Sequence, residues 1–428
     1  MEGTNEQSPK DKWYEIIRIV KAQTDLGLMY YLVDDNYNFI NLVKEYLNMI
    51  QARAEREVSP NTVKSYCYQL WYFVVFLKIK NLDILGLDGK PDLLAQFKLW
   101  LKTPYRFYEN IEVLNYDIEF DYIEDSLSVT TINGIISRVS SLYLWLKASN
   151  KIKENPVVYR SVMASQSMGD KDMLAHTRHD RTIQVNTLKS KVQKTIPKTV
   201  EKKDFKKFLD VVNLLRDKII LLCLKEGGFR SNELLGVHLE DIDFAEQGLW
   251  IRFRADNTNG SRAKAGYGRD RFVHLPIDLM ALIDRYISSE WLESNADNDF
   301  LFVVVNSNTP SNNGQAMTKS TLDSMFKYYS PKVFGFEIKK GKKVSRYHIT
   351  PHMLRHTHAT ELAREYINKG EQINWEYISK RLGHSSVTTT MEIYAHLKPE
   401  DYKKEYQRLQ EYKKQKRRER NSNYGISK

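Results

Sequence analysis

The stretch TPHMLRHTHATELARE, residues 350–365, holds three of the chain's ten histidines, His352, His356 and His358, with Arg355 among them. Such a cluster can bind a metal, move protons or hold a phosphate. On a helix His352 and His356 share a face, the spacing of the H-E-x-x-H metal motif. That motif needs a glutamate after its first histidine, where Met353 stands, and no cysteine or third ligand lies nearby, so the metal reading is weak. His352 and Arg355 fall about 60° apart around a helix and can point at one ligand. Arginine offers a planar fork to two phosphate oxygens, and histidine moves a proton near neutral pH. Ala359, Leu362 and Ala363 continue roughly that side and anchor it to a core. His358 lies well off it, as a surface residue or a support behind the site, and His356 reads as a buried, hydrogen-bonded core histidine.

Two further segments could complete a phosphate site. In KEGGFRSNELLGVHLEDIDF, Arg230 follows a double glycine that breaks a helix and presents it at an element end. Glu233 is placed to pair with an arginine or stiffen the turn, although alone this is a common surface arrangement. In YISKRLGHSSVTTTMEIYAHL a helix ends at Gly383, His384 follows, and Ser385, Ser386 or Thr388 can cap the next helix. Tyr394 lies ten residues beyond His384. A helix-turn-helix DNA reader also fits this pattern, but such readers contact bases near the start of the second helix, and Tyr394 lies toward its end.

The elements that must carry these residues are mostly helical. VSPNTVKSYCYQLWYFVVFLK has Ser59 as N-cap and Pro60 at the first helical position, with Val63, Tyr66, Leu70, Phe73 and Leu77 on one face. LSVTTINGIISRVSSLYLWLKASN repeats the logic with Ile132, Ile136, Val139, Tyr143 and Leu146. Residues 41–155 therefore form a helical domain, preceded by an N-terminal extension, 1–40, whose WYEIIRIVKA is a helix or strand. Residues 156–200 are polar, basic and weakly periodic, a linker or extended arm. A second domain, 201–400, opens with the helix KDFKKFLDVVNLLRDKIILLCLKEGG, which stops at Gly227 and Gly228. The alternating runs LWIRFRA and RFVHLPI then predict a small antiparallel hairpin. A basic tail, 401–428, carries ten Lys and Arg against four Asp and Glu. The fold class is mainly α with a small antiparallel β-sheet.

Bulk properties bound the function. A chain of 428 residues exceeds one ordinary core. No apolar run approaches the ~20 residues of a membrane span, and no signal pattern opens the chain, so a soluble cytoplasmic protein is expected. Cys67 and Cys223 sit in apolar helical patterns, which leaves no disulfide framework and no cysteine-based zinc site. A net charge of +11 favours polyanionic partners.

Taken in order, GFRSNELLG, HMLRHTHAT and LGHSSVTTTMEIYAHL resemble the catalytic domain of the tyrosine recombinases, or integrases, over about residues 200–400. The helical domain before it is similar in size and kind to that family's core-binding domain. The resemblance implies that Tyr394 attacks a DNA phosphodiester to form a 3′-phosphotyrosine, with Arg230 and Arg355 clamping the non-bridging oxygens. It implies that His352 assists deprotonation of Tyr394, that His384 donates to a phosphate oxygen, and that Glu233 supports them. The matching lysine for protonating the leaving 5′ oxygen is Lys264. It stands in residues 252–271, where six Lys and Arg face two Asp, and a phosphate-touching loop without a catalytic member is the plainer reading of that run.

The implied partners are double-stranded DNA and further copies of the chain, a homotetramer on two DNA sites, with room for accessory proteins; no cofactor or metal is implied. Length favours a transposon or other mobile element over a compact chromosome resolvase. The alternatives are an inactive DNA-binding relative and a type IB topoisomerase-like nicking-closing enzyme.

Overall fold

The computed structural model describes residues 9–54, 58–103, 106–107, 126–163, 182–192, 197–263, 270–339, 342–384, 386–394 and five positions between 407 and 416. The chain forms two compact units, Met1–Lys194 and Thr195–Lys428. Both are mainly helical, with small antiparallel ladders. No described helix is long and apolar enough to cross a membrane.

In the first unit, helix α1 (Pro9–Ile16) leads into the hairpin β1 (Arg18–Thr24) and β2 (Gly27–Val33), paired from Arg18 with Val33 to Thr24 with Gly27. Four helices follow, α2 (Asn41–Arg53), α3 (Pro60–Ile79), α4 (Pro91–Lys102) and α5 (Val129–Ala148). Ser59 caps α3 by accepting from the Thr62 amide, with Pro60 in the first turn, and Ser128 caps α5 through Thr131. The apolar stripes of α3 and α5 meet in one core. The N-terminal extension joins that core: Tyr14 stacks on Trp71 at 4.3 Å, and Trp71 Nε1 donates to the Ile17 carbonyl at 2.8 Å.

The range expected as a linker contains a ladder, β3 (Tyr159–Met163) with β4 (Thr182–Asn186). Asparagine side chains fasten it and the following turn to α5: Asn186 Nδ2 donates to Ser140 Oγ at 2.6 Å, and Asn133 exchanges two bonds with Ser190. Polar composition there reflects side chains committed to backbone partners as well as to water.

The second unit departs from the sequence reading at its first helix. Instead of one continuous element there are α6 (Lys202–Asp210) and α7 (Leu215–Leu222), the latter widening into a π-helical turn, Cys223–Gly227. The break has a tertiary cause. Glu290, far along the chain, accepts from the Leu215 and Arg216 amides at 2.7 and 2.9 Å and so caps a new helix there. After α8 (Ser231–Leu235), the strands β5 (Ile242–Asp243), β6 (Gly248–Ile251) and β7 (Arg271–His274) form a three-stranded antiparallel sheet. The expected hairpin is β6 with β7, in a register that sets Gly248 opposite His274 and Ile251 opposite Arg271. Then come α9 (Ile277–Tyr286), α10 (Lys319–Phe334), a hairpin of β8 (Phe336–Lys339) and β9 (Lys342–Ser345), and the helices α11 (Pro351–Lys369), α12 (Trp375–Leu382) and α13 (Val387–Tyr394).

Candidate active site

Three helix ends bring the motifs together. The π-helical turn ends at Gly228, whose φ of 64° is left-handed and which a β-carbon would crowd to 2.5 Å from the His358 ring. Arg230 follows and caps α8, while Glu233 in the first turn of that helix accepts the Arg230 amide at 3.0 Å. Helix α11 starts with Thr350 accepting from the Met353 amide and Pro351 in its first turn, which places Arg355 one turn in. Helix α12 stops at Gly383, φ 66°, and the His384 amide donates to the Ser379 carbonyl in a C-terminal cap.

These ends converge on three backbone carbonyls. Arg355, 2% exposed, donates through Nη2 to Leu382 O at 2.6 Å and through Nη1 to Gly228 O at 2.7 Å. Arg230 donates through Nη2 to Gly383 O at 3.0 Å. The last carbonyls of α12, the negative end of a helix, are thus aimed at both guanidiniums. Glu233 lies beneath, with Oε1 2.6 Å from Arg230 Nη1 and Oε2 2.7 Å from Arg271 Nη2 and 3.8 Å from Arg355 Nη1. Burial raises the Glu233 pKa, but Arg271, Arg230 and Arg355 outweigh it and hold the carboxyl down to about 2.

That shift carries a pH signature. A carboxylate depressed in the folded state contributes stability above its ordinary value, 4.5, and loses it as pH falls toward about 2. Between those values the denaturation midpoint of the wild type is expected to fall more steeply than that of Glu233→Gln. Parallel slopes in urea titrations across this range would remove Glu233 as the group responsible.

The histidines divide into two kinds. His352 is exposed and touches His356 edge-to-face, with ring centroids 4.2 Å apart. His384 pairs its Nδ1 with Thr390 Oγ1 at 2.8 Å; when that hydroxyl donates, the ring proton sits on Nε2, leaving a donor for a ligand. Partial enclosure, then the nearby Arg355 and Arg230 charges, lower the pKa of His352 and bring that of His384 to about 4. Enclosure with His352 and Arg355 does the same for His356, to about 4. These shifts favour the neutral imidazole at all three positions. His356 is half-buried at the site rather than in the core. His358 is buried, not at the surface: its Nε2 accepts from Arg381 Nε at 3.0 Å, and Arg381 also donates to the Glu226 and His274 carbonyls.

Tyr394 is the last residue of α13, and its side chain lies outside the described set. Lys264 falls within 264–269, also outside the described residues. Of the basic run around it, Arg252 and Arg254 pair with the fully buried Asp241, and Arg271 with Glu233, so these three arginines are committed to the protein itself. Among the described residues no group of three His, Cys, Asp or Glu side chains is placed to hold a metal ion.

Comparison with known proteins gives this arrangement its family. The sequence model of the phage integrase family matches residues 198–401. Transposase A from transposon Tn554 of Staphylococcus aureus is 30% identical over 391 residues, covering 91% of this chain and 96% of the transposase. The chain belongs to the tyrosine recombinases. Tyrosine recombinase XerC of Staphylococcus aureus is 25% identical over 86% of this chain and 96% of its own. Among solved structures, a Tn1549 transposon integrase in complex with a circular intermediate DNA shares the fold, with a TM-score of 0.52 and 21% identity over 86% of this chain and 99% of that one. As a recombinase the chain breaks and rejoins DNA site-specifically, in transposition or integration, and DNA is its partner.

Sequence reasoning about this recombinase missed Arg271 and Arg381. Arg271 stands in a basic run that gives no hint of Glu233, and Arg381 beside Leu382 and Gly383 carries no signal of its own. Their roles depend on carbonyl and carboxylate partners 38 to 155 residues away.

Proposed function

We propose that this recombinase serves the movement of a mobile element and that its chemistry runs through a covalent DNA–tyrosine intermediate at the site built from Arg230, Arg355, His352, His384 and Tyr394. The observation that carries the reading is the convergence of two guanidiniums on the Leu382–Gly383 turn, over a shared carboxylate. A phosphodiester gathers negative charge on its non-bridging oxygens as it is attacked, and two fixed arginines meet that charge without reorganising. Tyr394 Oη forms the new bond to phosphorus while the bond to the 5′ oxygen breaks. His352 takes the tyrosine proton, Lys264 gives one to the departing 5′ oxygen, and His384 donates to a non-bridging oxygen. The phosphotyrosine keeps the energy of the broken ester, so attack by another 5′ hydroxyl reseals the strand without a nucleotide cofactor. Exchange between two DNA sites requires four such subunits, a homotetramer in the cytoplasm, with accessory proteins biasing direction. The likeness to a transposase along 91% of the chain favours transposition over chromosome resolution.

The test is a duplex carrying the element's end, nicked close to the crossover so that the cleaved strand diffuses away, mixed with the full chain in EDTA. A protein–DNA adduct stable to SDS is expected. Demonstrated binding without any adduct would leave a DNA-binding protein that has kept only the fold. An adduct formed equally on DNA lacking the element's end would instead favour a nicking-closing enzyme.

A further inference from the structure

Arg271, at the start of β7, has no part in the roles given above, yet it touches the site's carboxylate and its turn. Its Nη2 donates to Glu233 Oε2 at 2.7 Å and its Nε to the Arg381 carbonyl at 3.3 Å. Gly383 lies directly over the guanidinium: a β-carbon there would come within 2.7 Å of Arg271 Nη1 and 2.9 Å of Cζ. So the glycine before His384 is demanded twice, by its left-handed backbone and by the arginine packed against it.

The charges around Glu233 explain why an additional arginine matters. Arg230, Arg355 and Arg271 bring three positive charges to one carboxylate, a net of two. A phosphodiester carries one negative charge and approaches two in the transition state. Without Arg271 the net falls to one, and Glu233, 1% exposed, would draw its neutralisation from Arg230 and Arg355 alone.

Resting on the proposed strand-cleavage reading, we propose that Arg271 is a positioning residue for the reaction: it takes up the Glu233 charge, leaving Arg230 and Arg355 available to the scissile phosphate, and seats the turn that presents His384. A plain strut would serve the turn but not the charge. The two differ in how they respond when the phosphate itself loses charge.

The experiment compares full-length wild type, Arg271→Gln and Arg271→Lys on the nicked element-end duplex, with either a phosphate or a methylphosphonate at the scissile position. The methyl group removes a negative oxygen and with it much of the demand for positive charge. Arg271→Gln is expected to cleave the phosphate about 10²-fold more slowly than wild type, with the defect below about 10-fold on the methylphosphonate. DNA affinity stays within about threefold, because Arg271 points at the protein and not at solvent phosphates. Arg271→Lys, which keeps the charge, recovers most of the rate. Equal defects on the two substrates would make Arg271 a strut only, and no defect would remove it from the reaction. If Arg271→Gln does not fold, the residual defect of Arg271→Lys is compared on the same pair of substrates. Wild type separates the two layers of the reading: an adduct from wild type with an unaffected variant overturns the role of Arg271 alone, whereas no adduct from wild type overturns the cleavage reading beneath it.

Discussion

Tyr394→Phe is expected to abolish the SDS-stable adduct on nicked duplex and to slow strand cleavage by at least about 10⁴-fold, as removing a nucleophile outright does. The change deletes one oxygen from an aromatic side chain of nearly equal helix propensity, so α13 should form as before. That helix is tied to the site upstream of Tyr394 through the His384–Thr390 contact, and at its start the Ser386 hydroxyl accepts from the Thr388 amide. Binding to the same DNA should therefore be retained within about twofold, since it rests on contacts to the phosphate backbone. Gel shift and adduct formation on one preparation read both quantities. An adduct that persists in Tyr394→Phe would move the nucleophile to another tyrosine, with Tyr402 and Tyr406 the next along the chain. Loss of both adduct and binding would say instead that the α13 segment is needed to hold DNA.

How far the sequence could be read depended on whether a feature was local. Ser59 with Pro60, Gly383 and Thr350 with Pro351 set helix ends from within a few residues, and such caps were legible or nearly so. The alternating runs around Trp250 and Phe272 gave the hairpin for the same reason. The break between α6 and α7 was illegible because its cause is Glu290, more than seventy residues downstream. The ladder of β3 with β4 hid in a polar stretch whose ties to α5 are side-chain bonds to distant residues, Asn186 to the Ser140 hydroxyl and the Ser190 backbone to Asn133 of that helix.

At the site, the order of Arg230, His352, Arg355, His384 and Tyr394 could be found from spacing and resemblance. What spacing could not give is that the arginines are held by backbone carbonyls. A carbonyl has no sequence identity, so Leu382 O and Gly228 O as acceptors leave no mark in the residue types. His358 shows the same limit: helical geometry places it off the catalytic face, but only the approach of Arg381 makes that other face an interior one.

Arg355→Ala is expected to cost both chemistry and fold, and the two losses can be separated. Its guanidinium joins α11 to the carbonyls that end two other segments, Gly228 O and Leu382 O. Truncation removes the Arg355 donor from Gly228 O, leaves Leu382 O with only the longer contact from Arg230 Nη1 at 3.4 Å, and removes one positive charge from beside Glu233. Breaking a buried charged network of this kind costs about 3 kcal/mol, visible as a lower Tm of the full chain. Strand cleavage should fall by roughly 10³-fold or more, because the lost fork is also one of the two that meet charge on the phosphate. Arg355→Lys then divides the effects. Lysine keeps the charge beside Glu233 but is a single point donor that cannot bridge Gly228 O and Leu382 O in one plane. It should recover the larger part of the stability while cleavage remains about 10²-fold down. A lysine variant that cleaves within tenfold of wild type would show that charge alone suffices and that the fork geometry is incidental. If the lysine variant is as unstable as the alanine variant, the carbonyl bridge, more than the charge beside Glu233, is what holds α11 to the turn before His384.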